Sequence, residues 1–266
     1  MFGNLSLLVG AVAMLADAPA SASLPPAGHW TVEYNAGDCT LSRSFGGPAK
    51  PIVFGIKPTV DFTAGELVLI IPGSAGKSAK YGTGSLRLFP VDNGSTIRWA
   101  AAPLKDGQGH GVRFDAPREF WDDLPTSTEV RLQVGEGRPI RLALGPMKGA
   151  IAAAQKCGDD LMRNWGANPA AVLKPPASQT IGIFSTDDYP AEALRNQEQG
   201  RVTTLTTVNL SGKPIGCTVL KTSGHASLDE AVCRKIMRVG QFAPAGESGP
   251  DKRFVFLTVS WEAPEL

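Results

Sequence analysis

The stretch GRVTTLTTVNLSGKPIGCTVLKTSGHASLDEAVCRKIMRVG, residues 200–240, decides the fold of the C-terminal part of the chain. Residues 201–208 and 217–222 read as two strands on either side of the turn signal Ser211-Gly212. Ser227-Leu228-Asp229-Glu230 has the serine and the acid three residues later that open a helix, here running to about residue 238. Residues 253–261 close the unit as a last strand. Its alternation puts Phe254, Phe256, Thr258 and Ser260 on one face and Val255, Leu257, Val259 and Trp261 on the other. A short helix over 190–197 comes first, with Asp187 and Asp188 at its start, where acids suit the helix dipole. The expected unit is therefore α+β, a short helix followed by β-β-α-β.

Upstream, the pattern changes to short strands. Residues 30–34, 39–45, 52–56, 67–71, 85–90, 96–101, 111–114, 129–134 and 140–144 are strand candidates separated by turn signals. Asp92-Asn93-Gly94 and Gly135-Glu136-Gly137 each join two such runs as a hairpin. Strands at this spacing predict a mainly antiparallel sandwich or barrel. One helix over 147–165 closes the region, with Ile151, Ala154, Cys157, Leu161 and Trp165 on a single apolar face. Pro169, Pro175, Pro176 and Ser178 then mark a linker. The expected organisation is two domains: a β-rich one over 23–168, a linker over 169–182 and the α+β unit over 183–266.

Residues 5–16, LSLLVGAVAMLA, are apolar and lead to Ala20-Ser21-Ala22, an A-x-A cleavage pattern. Residues 1–22 therefore read as a secretory signal peptide. The apolar run is shorter than the ~20 residues that span a bilayer. No Lys or Arg precedes it, which keeps an uncleaved membrane anchor open as the alternative. Export makes disulfides the expected state of Cys39, Cys157, Cys217 and Cys233. Four cysteines allow three pairings. Two fall in each region, so Cys39–Cys157 and Cys217–Cys233 are expected, with four buried free thiols as the alternative.

Composition narrows the function. Net charge is +1, which argues against coating nucleic acid or an anionic membrane. With 42% hydrophobic and 19% charged residues the composition allows a packed core and argues against global disorder. Glycine (30) and proline (21) are abundant in 266 residues, which favours turns over long helices.

Tyr189-Pro190, Ala193-Leu194, Gly200, Val202, Val208, Gly212, Val219, Ser223-Gly224-His225, Leu228-Asp229, Phe242 and Pro244 form an ordered set. Together they resemble the C-terminal domain of TonB proteins, over about residues 186–262. The resemblance implies a periplasmic domain that grips an extended peptide, the TonB box of an outer-membrane transporter, or another envelope protein. The implied mode is strand addition to a sheet edge. It also implies partner contact by Asp188, Tyr189 and Pro190 and by the last strand, Phe254, Val255, Phe256, Leu257, Thr258 and Val259. Strand exchange between two copies would give a homodimer. The chain departs from an energy transducer of that family. Its N-terminal apolar run is short, and a β-rich region stands where a Pro-rich spacer would run. An inner-membrane transducer therefore requires the uncleaved anchor. The N-terminal region, with Cys39, Cys157-Gly158-Asp159-Asp160-Leu161 and Trp165-Gly166, resembles accessory domains found beside TonB-like modules.

Catalytic readings fare worse. Gly73-Ser74-Ala75-Gly76-Lys77-Ser78 follows a strand as a phosphate loop does, but Walker spacing puts Ile71 where the first glycine belongs. Ser74-Ala75-Gly76-Lys77 fits the S-x-x-K of penicillin-interacting enzymes, without an S-D-N or K-T-G partner. A cell-wall serine hydrolase is thus the reading of another class. His29, His110 and His225 lack ligand spacing. No enzyme activity, metal or cofactor is expected.

Overall fold

A computed structural model describes residues 22–35, 37–73, 78–105, 107–173, 183–245 and 250–263. Residues 1–21 of the expected signal peptide, Ser74 and Lys77 of the hydrolase reading, and the later part of the expected linker lie outside these residues.

All nine expected strands of the first region form one antiparallel sheet. They are β1 (Pro26–Tyr34), β2 (Cys39–Phe45), β3 (Ile52–Pro58), β4 (Gly65–Pro72), β5 (Lys80–Phe89), β6 (Asn93–Pro103), β7 (Gly109–Asp115), β8 (Glu129–Val134) and β9 (Ile140–Ala143). Their order is β1-β2-β3-β4-β7-β6-β5-β8-β9. The sheet curls until its ends almost meet. Leu24, just ahead of β1, donates to Arg141 O (2.8 Å) and accepts from Ala143 N (3.0 Å), which brings β1 round to β9. Near this seam Arg43 Nη1 and Trp30 Nε1 both donate to Leu144 O, at 3.0 and 3.2 Å. Glu129 joins the same closure. Burial pushes its pKa up, but hydrogen bonds from Ser23, Arg141 and Arg131 outweigh that and hold it below the usual carboxylate range.

Alternation along each strand fills the barrel. Leu41, Phe45, Phe54, Ile56, Leu67, Leu69, Leu86, Leu88, Val112, Phe114, Val130, Leu132 and Leu142 are all buried in one core. A short helix not expected from the sequence, α1 (Arg118–Asp123), adds Phe120 and Trp121 to that core. Its six residues between Pro117 and Pro125 are too few to show a helical period. The expected closing helix is α2 (Lys148–Asn164). Ile151 and Ala154 face the barrel core, and Cys157 is bonded to Cys39 of β2. Gly158 lies against the β3–β4 connection. A Cβ there would sit 2.8 Å from Val60 O, so only glycine lets the helix come this close.

The second region contains α3 (Ala191–Arg195), β10 (Gly200–Val208), β11 (Pro214–Lys221), α4 (Ala226–Val239) and β12 (Arg253–Trp261). The sheet is antiparallel with order β11-β10-β12. Helix α4 covers one face, with Leu228, Val232 and Ile236 against Val202, Val208, Val255 and Leu257. The expected Cys217–Cys233 bridge staples β11 to α4. The start of α4 differs from the expected capping box. His225 is the N-cap, and its side chain makes no capping hydrogen bond among the described residues. Ser227 Oγ donates instead to Glu198, while Asp229 accepts from Ser223 N–H and Oγ at 2.8 and 2.7 Å. A capping box does occur earlier, between Ser185 and Asp188.

The other face of the small sheet is covered over part of its length. Leu205, Phe254 and Phe256 pack on Met162, Ala167 and Ala171, with Trp165 half-buried against them. The barrel's closing helix and the turn after it are thus the second layer over this sheet. Three ion pairs rim the contact: Asp38–Lys221 (3.5 Å), Asp115–Arg201 (2.6 Å) and Arg98–Glu262 (3.1 Å).

Candidate functional site

Asp188 is set by the Ser185 cap and tied to α4. Its carboxylate accepts from Ser185 N–H at 2.8 Å and from Lys235 Nζ at 2.6 Å. The Lys235 hydrogen bond, helped by those from Ser185, holds its pKa below the usual range against the effect of burial. Tyr189 follows in extended conformation. Its hydroxyl donates to Glu198 O and its ring stands edge-on to Trp261, 5.1 Å between centroids. Burial, then the charge of Glu198, pushes the Tyr189 phenol up. Pro190 is the N-cap of α3. Asp187, Asp188, Tyr189 and Pro190 form one wall of an open groove of about 720 Å³, with Arg234, Lys235, Met237 and Arg238 of α4 opposite.

Tyr189 links this groove to the end of β12. Phe184 also stands edge-on to Trp261, at 6.3 Å. The indole Nε1 of Trp261 is buried and has no hydrogen-bond partner among the described residues. The structure therefore brings the Asp188–Pro190 segment and β12 into one neighbourhood.

Within β12 the side chains and the backbone divide the work. Val255 and Leu257 are buried under α4, and Phe254 and Phe256 against the barrel. Thr258 is exposed and Val259 half-buried. Thr258 Oγ1 lies 3.1 Å from Thr203 Oγ1. Four of the six strand side chains expected to touch a partner are thus already committed to two cores. What β12 presents is its edge, because β10 pairs with only one of its sides. Phe254 O points outward, since it accepts from Leu173 N–H at 2.7 Å. By the alternation of an antiparallel pair, the N–H and C=O groups of Phe256, Thr258 and Ser260 point outward too.

Sequence reasoning missed Val172, Leu173, Trp165 and Trp261 as parts of this site. The apolar run Ala171-Val172-Leu173 before Lys174-Pro175-Pro176 was the available signal, but the prolines made it read as linker. Among the described residues no three His, Cys, Asp or Glu converge as metal ligands, and no helix is long and apolar enough to cross a membrane.

An antiparallel three-stranded sheet with one helix on one face and its last strand at an edge defines the class of this region. Residues 186–262 match the family model of the Gram-negative bacterial TonB protein C-terminal. Residues 186–262 are thus similar to the C-terminal domain of TonB proteins, a transport-associated family. The match covers less than a third of the chain. No curated protein and no solved structure matches the chain.

Proposed function

We propose that this chain is an exported envelope protein of the periplasm, and that its TonB-like C-terminal domain takes up an extended peptide as an added strand along β12. The partner is the TonB box of an outer-membrane transporter, or a comparable segment of another envelope protein. The observation that carries this reading is the edge of β12. Its outward backbone groups at Phe256, Thr258 and Ser260 form a row of donors and acceptors, which is what strand addition uses. Main-chain bonds supply affinity there. Asp188, Tyr189 and Pro190 border the far end, where they can select among partners. The two disulfides suit an oxidising compartment.

Titrating the labelled full chain with a synthetic TonB-box peptide tests the reading. Amide signals of Phe256 to Ser260 and of Tyr189 are expected to move together. No movement at millimolar peptide would overturn it.

A further inference from the structure

The first rung of the β12 edge is already taken. Val172 forms a parallel bridge with Phe254, and Leu173 N–H donates to Phe254 O at 2.7 Å. The two side chains diverge as those of a strand do. Val172 packs with Phe254 and Phe256 on the barrel side, and Leu173 packs into the core beneath α4. The 3-10 turn Pro169–Ala171 just before them is anchored by buried Ala171 and by Asn168, whose side chain accepts from Ala170 N–H at 3.0 Å. The pair is therefore fixed in place by the barrel's closing segment. At the far end, Ile183 and Phe184 meet Trp261 and the α4 core.

We propose that Val172–Leu173 is an internal competitor: a two-residue piece of this chain's own strand that occupies the Phe254 rung of the peptide edge. This inference rests on the strand-addition reading above. In the resting protein an incoming strand has three rungs, at Phe256, Thr258 and Ser260. To use the fourth, it must displace Leu173 from Phe254 O. The competitor sits on the barrel side of the connection, so the barrel domain sets how readily the edge opens. A strand that engages the whole edge would release the pair, and with it one tie between the two regions.

The test compares the full chain with Leu173→Pro, which deletes the donor to Phe254 O. Calorimetry with the TonB-box peptide should show binding about three- to tenfold tighter for the variant, the range expected for removing one competing hydrogen bond. Leu173→Ala, which keeps the donor and loses packing, should give a smaller gain and serves if the proline variant does not fold. Hydrogen exchange provides the second readout. The Leu173 amide should be protected in the free wild-type protein and exposed once peptide saturates it. Equal affinities for the wild type and both variants, or a Leu173 amide still protected in the complex, would overturn the competitor and leave strand addition standing. Failure of every protein to bind would remove strand addition and the competitor with it.

Discussion

Asp188 joins Ser185 to Lys235, 47 residues further along the chain. Its folded pKa is depressed, chiefly by Lys235. The unfolded chain therefore binds the proton more readily, so the contribution of Asp188 is complete above the ordinary carboxylate range. It is lost as pH falls below about 4. The melting temperature of Asp188→Asn should accordingly lie below that of the wild type at pH 7, with the gap closing as pH drops below 4. A gap that stays constant with pH would refute this account. Gly158 is a second test. In most helix interiors Gly→Ala is stabilising, but here the new methyl meets Val60 O at 2.8 Å. Gly158→Ala should cost about 1–3 kcal/mol in chemical denaturation, as overpacking does. Asp188 was legible only as part of a motif. Its cap and its lysine were not, because Lys235 comes close only after α4 folds over the sheet. Gly158 read simply as one residue of a helix, since nothing local announces Val60.

At the scale of elements, the period-two alternation of residues 253–261 gave β12 both of its faces correctly. Each strand of the first region was visible for the same reason: one side is buried and the other is not. The cysteine pairing was legible from their division between regions. Cys217–Cys233 closes a short loop between β11 and α4, with a sequence separation of 16. Replacing both by serine should destabilise the small domain by about 3 kcal/mol, read as a lower urea midpoint. An unchanged midpoint would mean that Val232 and Ile236 hold α4 on the sheet unaided. Which edge of β12 is free, and that Val172–Leu173 begins a strand on it, could not be read locally. A two-residue pairing to a strand some eighty residues later leaves no period in the sequence. The helix start at Ala226 shows the limit of a local motif too. The Ser227 hydroxyl found Glu198 across the fold rather than the backbone of its own first turn.

For the whole molecule, the main departure from two beads on a linker is the shared core. Phe254, Phe256 and Leu205 look outward from the small sheet and would be bare without Trp165, Met162 and Ala171. Trp165→Ala should cost about 2 kcal/mol and separate the melting of the two regions. Arg98→Ala, which breaks an exposed pair with Glu262, should change stability by less than about 0.5 kcal/mol. A single sharp transition in the tryptophan variant would show that the regions do not depend on this contact. The shared core also leaves β12 a donor of backbone rather than of side chains, which is the basis of the functional reading. Cross-strand amide contacts between bound, isotope-labelled TonB-box peptide and the protein test that reading most directly. They are expected at Thr258 and Ser260 along the β12 edge. Contacts confined to the groove at Arg234–Arg238 would contradict it.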